Sequence, residues 1–165
     1  MISTSGRTVR RVLATAGIVA GALSFAGTAS AGECPSDKRI KDYTKPVTHA
    51  AKDVTDKVIG MIDLSKEPSA GIKDRQFRLR KLEVKPGGVV PWHSHNERPA
   101  MIYIVSGEVV EYASSCAVPI THRAGDVAPE KNGTSHWWKN TGSTSAVLIS
   151  VDLFPGDAKA DEHMM

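Results

Sequence analysis

His93 and His95 are the residues in this chain whose type and spacing most directly suggest chemistry. They stand two apart in Val89 to His95, a run that reads as a strand. Alternate side chains of a strand share a face, so both imidazoles project the same way and can ligate one ion. For the tripeptide alone, two partly exposed histidines are the simpler reading. Glu97, two past His95, could add a carboxylate as fourth ligand or acid/base if the strand continued. However, Asn96-Glu97-Arg98-Pro99 is turn chemistry, and a loop carboxylate beside Arg98 is the simpler reading. Glu130, between Pro129 and Lys131, is a weaker candidate, and so is copper binding by His163-Met164-Met165 at the end of a polar tail.

The elements that must position these groups are short. From Arg75 onward, glycine and proline interrupt apolar runs every eight to twelve residues, the pattern of a β-sandwich or barrel. Phe77 and Leu79, then Leu82 and Val84, alternate with charged residues, and Lys85-Pro86-Gly87-Gly88 reads as a turn. Ala100 to Val105 leads through Ser106-Gly107-Glu108 into Val109 to Ala113. Val118 to His122 precedes a turn at Ala124-Gly125-Asp126, and Ser135 to Asn140 and Ala146 to Phe154 are the last strands. Upstream, Ala50, Ala51 and Val54 have a weakly helical spacing, and Val58 to Ile62 reads as a strand.

Two segments, Gly87, His93, His95 and Gly107, then Gly125, Gly133, His136 and Asn140, resemble the two motifs of the cupin superfamily. The chain is also similar to small exported single-domain cupins of uncharacterised role through Trp92-His93-Ser94-His95 and Ser135-His136-Trp137-Trp138-Lys139-Asn140. The resemblance implies an all-β double-stranded β-helix, a cupin jelly-roll barrel, with an N-terminal arm. It implies that His93, His95 and His136 hold one divalent transition metal inside the barrel. Two positions depart from the motifs. The metal-binding glutamate of the family falls on Ala100, and the proline of its second motif falls on Lys131. Three neutral imidazoles leave the charge of an ion uncompensated and favour Fe, Zn, Ni or Cu, with Mn less suited for want of a hard anionic donor. By strand parity Ala100, Ile102, Ile104 and Trp138 line the interior around such a site. Met101, Tyr103 and Val105 face outward yet are apolar, a surface that a homodimer or the N-terminal arm would cover.

The leading functional expectation is a metal-dependent enzyme, dioxygenase-like or a lyase/isomerase, acting on a small polar or anionic molecule. The alternative is a non-catalytic extracytoplasmic protein that binds a small ligand or metal. Residues 1–31 read as a signal peptide. Arg7, Arg10 and Arg11 precede an apolar stretch from Val12 to Phe25, shorter than the roughly 20 residues of a membrane span, and Ala29-Ser30-Ala31 is a cleavage site. The paired Arg10-Arg11 also partly matches a twin-arginine signal. The expected organisation is 32–74 as arm and first strand, 75–156 as barrel and 157–165 as a mobile tail. The net charge of +3 comes from those three arginines. The mature chain is formally neutral, and nothing favours nucleic acid or, after cleavage, a membrane. Cys34 and Cys116 are the only cysteines. Export to the periplasm or medium favours their disulfide, contributing about 4 kcal/mol by closing a long loop.

Overall fold

The computed structural model describes residues 32–41, 49–131 and 133–156; residues 1–31, expected as a signal peptide, and 157–165, expected as a tail, lie outside the described residues. Among the described residues there are eight strands: β1 (Lys52–Asp63), β2 (Arg75–Ser94), β3 (Ala100–Ser106), β4 (Glu108–Ala113), β5 (Ile120–Arg123), β6 (Val127–Glu130), β7 (Ser135–Lys139) and β8 (Ala146–Pro155). All pairing is antiparallel, in the order β5-β4-β7-β2-β8-β3-β6, with β1 added alongside β2.

The barrel depends on β2. Its first half, Arg75 to Val84, pairs with β8 and β1, and its second half, Val89 to Ser94, pairs with β7. One strand therefore belongs to both walls, and a core of Leu82, Val84, Val90, Ile104, Val109 and Trp138 among others fills the space between. The segment Lys85 to Gly88, expected as a turn ending a strand, instead bends one continuous strand. Gly87 takes a φ of +74° at the bend, a conformation that costs L residues with a side chain. A Cβ on Gly88 would sit 2.7 Å from the Asp53 carbonyl oxygen. At the β3–β4 turn, a Cβ on Gly107 would meet Ser145 O at 2.8 Å.

Three further differences have physical causes. The helical spacing around Ala50 gives way to a twelve-residue strand, because a backbone partner on β2 and the β-branched Val54, Thr55, Val58 and Ile59 outweigh a weak local pattern. Strand β6 was not expected across Pro129; it lies at the end of the sheet order, where a missing N–H is tolerated. Finally, Arg78 and Arg80 are the inward residues of β2, while Phe77 and Leu79 are exposed.

The buried arginines meet acids. Arg78 donates from Nε and Nη2 to Asp152 at 3.0 and 2.7 Å, and its guanidinium lies 3.5 Å from the centre of the Phe154 ring. Arg80 pairs with Asp56 and donates to Ser150 Oγ at 3.2 Å. Arg98 Nε approaches Asp152 at 3.8 Å. Burial, the largest influence, together with Arg80 lowers the Arg98 pKa to about 10.

The expected disulfide is present. Cys34 and Cys116, 82 residues apart, tie the arm to the β4–β5 connection, where Arg39 also forms a backbone bridge with Cys116.

Removing one partner of a buried ion network leaves charge uncompensated, which typically costs about 3–5 kcal/mol. Asp152→Ala is therefore expected to lower unfolding free energy by about that much in urea titrations. A loss below about 1 kcal/mol would show the network to be dispensable.

Candidate metal centre

Strand register brings the three histidines together. His93 and His136 are directly opposed partners on β2 and β7. A bulge in β2 between Val90 and His93 shifts the alternation, so both the even-numbered core residues and His93 reach the interior. His95 lies just past the strand, held by its N–H to Thr134 O at 2.9 Å.

The rings converge through Nε2. His95 Nε2 is 3.0 Å from His136 Nε2, which is 3.1 Å from His93 Nε2. Each Nδ1 faces a separate acceptor: His93 the Pro91 carbonyl at 2.9 Å, His95 the Arg98 carbonyl at 2.8 Å, and His136 the Glu111 carboxylate at 2.7 Å. Those bonds assign the proton to Nδ1 and leave three Nε2 lone pairs facing one another, a donor set open to a cation. Nitrogens about 2.1 Å from one ion and mutually cis lie roughly 3.0 Å apart, so the spacing fits a shared ion.

The electrostatics differ among the three rings. Burial, then the neighbouring His136, lowers His93 well below the ordinary histidine range and His95 to about 4. His136 is fully buried, which alone would depress it, but the Glu130 and Glu111 carboxylates raise it overall. Glu111 is itself buried, yet hydrogen bonds from His122 and His136 hold its pKa at about 2. Burial pushes Glu130 up to about 7.

A cavity of about 20 Å³ adjoins His93 and His95, with Arg80, Ser150, Trp138, Ile102 and Leu148 among its walls. That is room for one water-sized group. Trp138 stacks on His122 at 4.6 Å and directs its Nε1–H at the His136 ring, 3.2 Å from Nδ1. Trp137 points away and stacks on Tyr112 at 4.0 Å. Of the residues expected in the pocket, Ile102 and Trp138 line it, whereas Ile104 is in the core and Ala100 is buried outside the cavity wall. Glu97 is an exposed loop residue outside the ligand cluster, as expected where Pro99 ends regular pairing.

The groups that sequence reasoning missed are acidic or basic. Glu111 has the parity of Val109 and Ala113, and that signal was there to use. His122 and Arg80 likewise share the inward phase of their strands. Glu130 is the cross-strand neighbour of Ala100 on β6. A carboxylate is thus present one strand over from the expected position, but it faces His136 Nδ1, at 3.5 Å.

Because the folded-state pKa of Glu111 lies below its ordinary value near 4.5, its bonds stabilise the protein fully above that pH. They are lost as pH falls toward about 2. Melting temperatures of metal-free protein should therefore fall through this window, and Glu111→Gln should flatten that part of the profile. An unchanged acid limb in the variant would contradict the assignment.

Comparison with known proteins gives a consistent picture. A family model described as a Cupin domain matches residues 80–152. An oxalate-binding protein of Thermotoga maritima is 39% identical over 88 residues, spanning 53% of this chain and 69% of that protein. An auxin-binding protein of Prunus persica is 30% identical over 82 residues, 48% of this chain, and the match takes in only 39% of that protein's length. A solved structure from Klebsiella pneumoniae, an uncharacterised conserved protein with a double-stranded β-helix domain, superposes with a TM-score of 0.50. It covers 71% of this chain and 87% of that one, at 21% identity, and the likeness is one of fold.

Proposed function

The chain belongs to the cupin superfamily, and on that premise we propose that it binds one divalent transition metal through His93, His95 and His136 and uses it to capture a small anion. The observation that carries this reading is the convergence of three Nε2 atoms whose rings are each fixed from behind. A bound ion would supply Lewis acidity and an attractive charge on the face turned to the cavity. The donor set suits Fe, Zn, Ni or Cu.

Arg80 supports the anionic preference. Its guanidinium shares the cavity wall with His93 and His95, and its buried Nε–H has no hydrogen-bond partner. Ser150 Oγ sits beside it. An anion spanning metal and guanidinium would satisfy that donor. The Thermotoga maritima relative is named for oxalate, which makes oxalate the first ligand to test; the enclosed space would take no more than one of its oxygens, with the rest of the anion outside it.

The binding reading has one observation in its favour over turnover. The remaining cavity wall is apolar, with Leu82, Val90, Ile102 and Leu148, and offers no carboxyl, lysine or tyrosine for proton transfer. The Cys34–Cys116 disulfide supports an oxidising, extracytoplasmic location, with residues 1–31 as the export signal. Residues 75–156 would form the functional barrel, with 32–74 as its arm and first strand.

Elemental analysis of protein produced by export should find stoichiometric transition metal, and His93→Ala should lower the content by one equivalent per chain. Calorimetry with the metal-loaded protein should show oxalate binding that Arg80→Lys weakens roughly 10-fold or more without loss of metal. Absence of stoichiometric metal, or oxalate binding indifferent to both changes, would refute the reading. Consumption of oxalate or O2 would convert the binding protein into an enzyme.

We also propose a homodimer through the outer face of β3 and β8. Met101, Tyr103, Val105 and Val127 are exposed there, and Val151 and Ile149 on β8 are the register partners of Met101 and Tyr103. The strip is apolar across three adjacent strands, a self-complementary surface for a two-fold copy. Sedimentation should give a dimer that Tyr103→Glu splits. A monomeric wild type would dismiss it.

A further inference from the structure

The polar groups behind His136 have no role in the three-histidine site beyond the Glu111 bond, yet they are arranged around a space of their own. A cavity of about 360 Å³ lies between the N-terminal arm and the barrel, and Glu111 and Glu130 both line it. His136 Nδ1 and one oxygen of each carboxylate lie within 4.8 Å of one another, and all three residues are buried.

Glu111 is fully engaged, accepting from His136 Nδ1 at 2.7 Å and from His122 Nε2 at 2.8 Å. Glu130 is not. Its side chain is 3% exposed, and its ion-pair contact among the described residues is the 3.5 Å approach to His136 Nδ1, a nitrogen already committed to Glu111. Arg39 and Lys131 also line the cavity, but both are exposed and neither forms an ion pair with Glu130 among the described residues. Glu130 lines the cavity with little exposure and no protein hydrogen bond among the described residues, so it is open to a cation or proton entering there. Two carboxylates so close add to the pull on positive charge.

We propose that Glu111, Glu130 and His136 Nδ1 form a second divalent-cation site, distinct from the three-histidine site and sharing only the His136 ring with it. Two carboxylate oxygens and one imidazole nitrogen are an oxygen-rich donor set suited to Zn or Mn, and the cavity has room for water to complete the coordination. Entry of the ion breaks the His136 Nδ1–H bond and forms a nitrogen–metal bond. The proton leaves to water in the cavity. With both sites filled, the ring bridges them as an imidazolate, and the negative charge of the carboxylates offsets the second ion. The Ala100 departure then takes on a new sense: the barrel's carboxylate is carried by the neighbouring strand and serves the back of the shared histidine.

The test is zinc stoichiometry on the full mature protein, stripped with chelator, reloaded with zinc alone and desalted. Wild type should retain two equivalents, Glu130→Gln one, and His93→Ala one. The two variants separate the sites, because Glu130→Gln leaves the front nitrogens intact and His93→Ala leaves the back donors intact. A single equivalent in wild type that Glu130→Gln does not diminish would overturn the second site while leaving the first standing. Two equivalents that survive Glu130→Gln and Glu111→Gln would overturn it as well. Should Glu130→Gln fail to fold, the His93→Ala protein decides: one retained zinc supports the back site, and none refutes it.

Discussion

One covalent constraint organises this molecule: β2 must serve two walls of the barrel without interruption. Because a strand's side chains alternate with a period of two, its direction of travel fixes which residues face inward along its length. Arg78, Arg80, Leu82 and Val84 follow one phase into the interior. The bend at Gly87 carries the strand across to β7, and the bulge after Val90 resets the phase so that His93 faces His136. Moving the bulge by one residue would send the imidazole outward. The site's geometry is therefore a consequence of strand closure as much as of the histidines themselves.

The same strand divides the interior into chemically different regions. One part is a packed apolar core, another a set of buried arginines neutralised by Asp56 and Asp152, and between them is the small cavity at the imidazoles. Beyond His136, the Glu111–His122 pair continues the polar chain toward the arm. Each imidazole is thus oriented from behind by a fixed acceptor, two of them main-chain carbonyls that no side-chain substitution can remove. Only His136 depends on a side chain, so its orientation and basicity are the ones most open to tuning.

Much of this was legible in sequence, for identifiable reasons. Turn residues spaced along alternating apolar runs give a barrel, and His93, His95 and His136 fell at motif spacings whose side chains the structure does bring together. Two oxidisable cysteines in a short chain gave the disulfide. What escaped was polar and buried. Phe77 and Leu79 are the apolar residues at the start of β2, while the parity set by Leu82 and Val84 assigns the interior to Arg78 and Arg80. Hydrophobicity and phase disagreed there, and phase won because Asp152 and Asp56 stood on the facing strands. Glu130 was discounted on its sequence neighbours, but its decisive neighbour is Ala100, thirty residues away and adjacent only through pairing.

The pairing of β2 with β8 also bears on how the chain reaches this fold. Arg75 meets Pro155 and Val84 meets Ala146, so the central ladder of the barrel joins segments distant in the chain. Contacts of that kind demand loop-closure entropy before any of their energy is returned, and they place the protein among slow-folding topologies. The link between Cys34 and Cys116, formed before the barrel closes, would shrink the ensemble that must be searched, making oxidation a kinetic aid to assembly.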